Sequence, residues 1–138
     1  MNPVPAQPVA LAAGDALPVR TFGPLTRSDF ARYAGAGGDF NPIHHDEPFA
    51  RAAGVPTVFG MGLLHAGMLG IQLARWVGPD HVRDFAVRFT GQVWPGDTLT
   101  FSGTVDAVDP DGVATLTLLV VRQDGGVVLR ATASAQAA

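Results

Sequence analysis

At 138 residues the chain has the length of one domain, enough to bury roughly two-thirds of the surface its unfolded form exposes. Hydrophobic residues make up 47 % and charged residues only 15 %, so a large share of the surface is expected to be covered by another chain, in a homo- or hetero-oligomer. Nine Lys plus Arg against twelve Asp plus Glu, with no basic cluster, exclude an electrostatic footprint for nucleic acid or an anionic membrane; the absence of cysteine excludes disulfides and thiolate chemistry and fits a reducing, cytoplasmic setting.

Residues 1–13 carry Pro3, Pro5 and Pro8 and lack the basic start and apolar core of a signal peptide, so they read as a flexible tail ahead of one folded domain over residues 14–138. A strand is expected near Leu17 to Phe22. Thr26 or Ser28 then caps a helix whose apolar positions Phe30, Tyr33 and Ala34 recur at spacings of three and four, and Gly35, Gly37 and Gly38 end it. Asp39 to Pro56 reads as loop with one helical turn around Pro48 to Ala53, because Pro48 suits a first turn and Gly54 a C-terminal cap. Gly60 to Val77 is apolar on nearly all sides, the pattern of a helix buried all round, and Gly78-Pro79 closes it. Its uncharged stretch, Phe59 to Ala74, is shorter than the roughly twenty residues that span a bilayer.

After Pro79 the period changes to alternation. Asp84 to Val93, Asp97 to Val108, Val113 to Arg122 and Val127 to Ala135 are rich in Val, Thr, Phe and Leu, and turn residues such as Pro95-Gly96 and Asp124-Gly125-Gly126 separate them. Four consecutive antiparallel strands and one apolar helix predict an α+β domain in which a curved antiparallel sheet wraps a central helix.

The polar residues concentrate in Gly37 to Ala50, GGDFNPIHHDEPFA. Neither Gly35-Ala36-Gly37-Gly38 nor Gly60-Met61-Gly62 has the third glycine of a dinucleotide loop or the βαβ setting it needs. His44, His45, Asp46 and Asp39 match no zinc spacing, and Ile43 breaks the calcium-loop pattern begun by Asp39 and Asn41, so no metal is expected. Metal-free acid–base chemistry by Asp39 and His44 requires a bent loop, since five helical residues would splay them apart. Gly38 and Pro42 supply that bend. Spacing alone is equally served by a bland reading in which Asp39 and Asn41 cap turns and His44 is an ordinary loop residue. His45 faces away from its neighbour in an extended segment and reads as surface or interface, while His65, three residues after Gly62, borders the same region or sits as a satisfied core histidine.

The stretch YAGAGGDFNPIHHDEPFARAAGVP, Tyr33 to Pro56, resembles the hydratase motif of the MaoC-like dehydratases and (R)-specific enoyl-CoA hydratases, Tyr-Ala-x-x-x-Gly-Asp-x-Asn-Pro-(aliphatic)-His-x-Asp. VFGMGLLHAGMLG and VRFTGQVWPGDTL resemble that family's central helix and the strand pair after it, so the likeness runs from about Leu17 to Ala135. The resemblance implies a hotdog fold whose dimer joins two sheets, no cofactor, and a hydro-lyase acting on 2-enoyl or (3R)-3-hydroxyacyl thioesters of coenzyme A or acyl carrier protein. It implies Asp39 and His44 as the catalytic pair, Asn41 as the residue that orients loop and water, and Gly62 as the glycine whose amide meets the thioester oxygen. Met61-Gly62-Leu63 stands where the family commonly has His-Gly-Met, and Gly70 where some hydratases carry serine. Two other readings fit a hotdog chain: a non-catalytic partner of a heteromeric dehydratase, and an acyl-CoA thioesterase.

Overall fold

The computed structural model describes residues 3–138. Five strands, β1 (Arg20–Phe22), β2 (Val82–Phe89), β3 (Leu99–Val108), β4 (Val113–Arg122) and β5 (Val127–Gln136), form one antiparallel sheet in the order β1-β3-β4-β5-β2. Three helices precede most of it: α1 (Arg27–Gly37), α2 (Glu47–Ala52) and the long α3 (Gly62–Val77). This is the hotdog arrangement, an α+β domain with α3 packed against β2, β4 and β5.

Alternation along the strands sets the core. Leu99, Phe101 and Val105 on β3, Leu116, Leu118 and Val120 on β4, and Leu129, Ala131, Ala133 and Ala135 on β5 are buried, with exposed or half-exposed residues between most of them. The small row on β5 leaves room for the helix, whose Ala66, Leu69, Leu73 and Val77 fill the space above the sheet.

The order of strands corrects the expected run of four consecutive neighbours. Only β3, β4 and β5 form a meander; β2 crosses to the far edge and pairs with β5, Phe85 opposite Ala133 and Phe89 opposite Leu129. Residues 90–98, which carry Gly91 and Pro95-Gly96, make the crossing instead of prolonging β2 or starting β3 early. The first strand is likewise shorter than Leu17 to Phe22. Pro18 has no amide to donate, so Leu17 bonds Gly103 as an isolated contact before the ladder begins at Arg20.

Two further expectations change. α3 begins at Gly62, not Gly60, because the Gly60 amide is bonded to the Val93 carbonyl at 2.8 Å and Met61 is extended. Nor is α3 covered all round by its own chain: Leu63, Gly67 and Ile71, spaced four apart, form an exposed stripe. Of the expected tail, residues 1–2 lie outside the described residues. The rest has no helix or strand, yet Val9 and Leu11 pack against the core and the Val9 carbonyl accepts the Ala138 amide at 2.9 Å. No helix among the described residues is long and apolar enough to cross a membrane.

Candidate active site

The polar stretch folds as a staircase of short-range hydrogen bonds. Thr26 and Asp29 cap α1 reciprocally, which sets where that helix starts. Gly38 ends it in the left-handed region, φ +72°, with its amide on the Ala34 carbonyl. The chain then turns on its own side chains: the Asn41 amide donates to Asp39 Oδ1 at 3.3 Å and the Ile43 amide to Asn41 Oδ1 at 3.1 Å. Pro42 opens a 3₁₀ turn over Pro42–His44, and Asp46 caps α2 by accepting from the Phe49 amide. The helical turn expected over Pro48 to Ala53 is thus α2, one residue earlier, with Gly54 at φ +88° just beyond it.

An ion pair braces this loop from outside. Arg27, at the start of α1, donates to Glu47 Oε2 at 2.8 Å and to Thr57 Oγ1 at 3.0 Å, so one guanidinium ties α2 and the irregular segment before α3 together. The Arg27 hydrogen bond is the main reason the Glu47 carboxyl is held down to about 2.

Inside the brace, His44 is clamped. Its Nδ1 lies 2.7 Å from the Phe59 carbonyl, and its ring meets that of Phe59 edge-on at 5.1 Å. A carbonyl can only accept, so Nδ1 carries the proton and, in the neutral ring, Nε2 is the free base. Nε2 points at Asp39 Oδ2 across 3.5 Å. That gap is too long for a strong direct hydrogen bond, and two lone pairs facing each other need a donor between them.

Asp39 also lines a cleft of about 450 Å³ that runs past Phe59, Gly62, His65 and Phe89. His44 does not itself line the cleft; it reaches it at the Asp39 side. Gly62 is the first residue of α3, and Met61 gives that helix no side-chain cap, so the amides of its first turn lack the kind of partner Thr26 gives α1. The geometry therefore gathers a base, a carboxylate and a helix N-terminus at one opening. Among the described residues no three His, Asp or Glu side chains come together as a metal site requires.

The predicted residues are accordingly brought together, with one division of labour. His44 faces Asp39, and Asp39 and Gly62 line one cleft, whereas the Asn41 side chain is spent on capping the 3₁₀ turn and shapes the loop. His45 is exposed. The Phe59 carbonyl, being backbone, carries no sequence signature. Of the two readings of His65, it borders the cleft, and neither ring nitrogen is hydrogen-bonded among the described residues, contrary to a satisfied core histidine.

The family of the MaoC like domain matches residues 10–117. The chain belongs to that family. It is 32 % identical over 89 residues to the (R)-specific enoyl-CoA hydratase of Rhodospirillum rubrum, a match covering 63 % of this chain and 62 % of the relative. It is 34 % identical over 79 residues to the 3-oxo-4,17-pregnadiene-20-carboxyl-CoA hydratase beta subunit of Mycobacterium tuberculosis, covering 56 % of this chain and 60 % of that one. The match therefore spans less than two thirds of either curated relative. A chain of the ChsH1-ChsH2 complex of the same organism superposes with a TM-score of 0.80 at 28 % identity, over 91 % of this MaoC-like chain and 98 % of the other.

Proposed function

We propose that this MaoC-like chain is a hydratase-dehydratase that interconverts 2-enoyl and (3R)-3-hydroxyacyl thioesters of coenzyme A or acyl carrier protein. The observation that carries the reading is the pair of contacts on one imidazole: Nδ1 fixed to the Phe59 carbonyl and Nε2 turned to Asp39 Oδ2 at 3.5 Å. A water between them donates one hydrogen to each. In the forward direction its oxygen bonds to C3 of the enoyl group, Nε2 of His44 takes the proton it loses, and that proton is returned to C2 on the same side. Asp39 holds the water in line and steadies the imidazolium. The amide at Gly62, at an uncapped helix start, meets the thioester oxygen as charge grows on it. Each step uses a group already held by the fold.

The substrate class rests on the relatives' names and on the cleft that Gly62 lines. A cytoplasmic home rests on the cysteine-free composition alone. The oligomer is a pair, with a second copy or a related chain alongside β2: that edge strand is eight residues long and its outer side has no strand partner among the described residues, whereas the other edge strand, β1, is three residues long. The relative named as a beta subunit and the two-component complex above favour one alternative, that this chain works beside a different hotdog chain.

The test is a panel of 2-enoyl-CoA substrates of increasing length, followed by loss of the conjugated double bond. Asp39→Asn and His44→Ala are each expected to lower kcat by on the order of 10²–10⁴ with the fold left in place. Full turnover in both variants overturns the assignment. Thiol release in place of hydration marks a thioesterase, and hydration that appears only on adding a second hotdog chain marks the partner reading.

A further inference from the structure

His65 is the buried polar side chain at the cleft that the mechanism above leaves unused. It is 2 % exposed, and neither Nδ1 nor Nε2 has a hydrogen-bond partner among the described residues. A neutral imidazole brings one donor and one acceptor, and burying both without partners costs stability that an apolar residue would not. Burial holds its pKa down to about 4, so at neutral pH the ring is uncharged and keeps one N–H. Asp39 is the other titratable group lining the cleft.

Its place on α3 says what it can reach. His65 lies three residues after Gly62, and helical side chains lean back toward the N-terminus, so the ring covers the first turn and not the middle of the helix. One aromatic ring touches both positions. Phe89 stands edge-on to His65 with centroids 6.0 Å apart, and it closes the space over Gly62, where an added Cβ would come within 2.7 Å of its Cε1. Phe89 is the last residue of β2 and 47 % exposed, so it has solvent on its other side. Phe89 therefore packs against Gly62 and His65 at once in the wall of the cleft, and a turn of its ring opens space beside both.

We infer that the His65 imidazole is a second hydrogen-bond donor to the thioester oxygen, beside the Gly62 amide, uncovered when the acyl group displaces Phe89. The inference rests on the hydratase reading. As the water oxygen bonds to C3, the C2=C3 electron pair shifts through C2 onto the carbonyl oxygen. The N–H groups of Gly62 and His65 hold that charge without releasing their protons, and the pair returns to C2 when it takes the proton that water lost. A neutral donor suits the role, because it polarises the oxygen without competing with His44 for the proton.

The experiment compares the full chain with His65→Leu, His65→Gln and His44→Ala on the best 2-enoyl-CoA of the panel, recording kcat, KM, the pH profile and the thermal midpoint. His65→Leu is expected to lower kcat on the order of 10²-fold with KM within about threefold, the thermal midpoint no lower and the shape of the pH profile kept. His65→Gln, which keeps an N–H, is expected to restore at least about tenfold of that loss. An unchanged kcat in His65→Leu, a loss confined to KM, or equal losses in the Leu and Gln variants overturns the inference. With wild type active and His44→Ala inactive, those results count against His65 alone; a wild type that hydrates no enoyl-CoA removes the hydratase reading and this inference together.

Discussion

A histidine that stays neutral because it is buried leaves a mark on stability as well as on chemistry. The folded pKa of His65, about 4, lies below its ordinary value of 6.5. Between those values the unfolded chain binds a proton that the folded chain refuses, so stability rises with pH across the window and is lost as the solution is acidified from 6.5 toward 4. The full shift corresponds to about 3 kcal/mol, an upper figure for one group. Thermal or urea unfolding measured at half-unit steps from pH 7 to pH 4.5 should show the decline, and His65→Leu should flatten it. An identical slope in the variant would assign the decline to other groups. Glu47 shifts in the same direction for the opposite reason: its hydrogen bonds favour the charged form, so its depressed carboxyl supports the fold above pH 4.5 and stops doing so as pH falls from 4.5 toward 2, at the acid end of the His65 decline and beyond it.

At the scale of elements, the site depends on how closely the segment before α3 lies against α1. Gly60 is bonded to Val93, and a Cβ there would sit 2.8 Å from Cε1 of Phe30, which is 1 % exposed and has nowhere to go. Gly60→Ala is therefore expected to cost about 1–3 kcal/mol in chemical denaturation. Gly35, inside α1 with nothing within 4 Å of its added Cβ, should do the reverse, Gly35→Ala adding about 0.5–1 kcal/mol. Similar midpoints in the two variants would show that this packing is not what holds the segment.

What the sequence revealed follows the same division between near and far. The Thr26 cap, the bend at Gly38 and the turn at Pro42 rest on hydrogen bonds spanning two to four residues, so residue types and spacing disclose them. The place of β2 beside β5 does not, because alternation marks a strand without naming its neighbour. The apolar stretch of α3 was legible as a helix but not as one with an open face, since hydropathy records that Leu63 and Ile71 avoid water and not which chain shields them. The Asp39 and His44 pair was legible through the motif, while the carbonyl that fixes the ring's tautomer has no side chain to read. The isolation of His65 depends on everything packed around it.

For the whole molecule, the outer edge of β2 and the exposed stripe on α3 are the two surfaces on which the proposed second chain would pair. Leu63 is 63 % and Ile71 53 % exposed, one helical turn either side of Gly67. Sedimentation at micromolar concentration is expected to give twice the mass of one chain, or a mixed pair with a related chain, and Ile71→Asp to shift it toward one; a single-chain mass for the wild type would count against pairing. Phe89 belongs to both regions at once, ending the edge strand and roofing Gly62 and His65. Under the proposed function, an acyl group in the cleft and a chain paired along β2 would meet the same phenyl ring from different sides. Specific activity then ceases to be a constant of the preparation: serial dilution through the dissociation range should depress the rate per active centre, and reconcentration should bring it back.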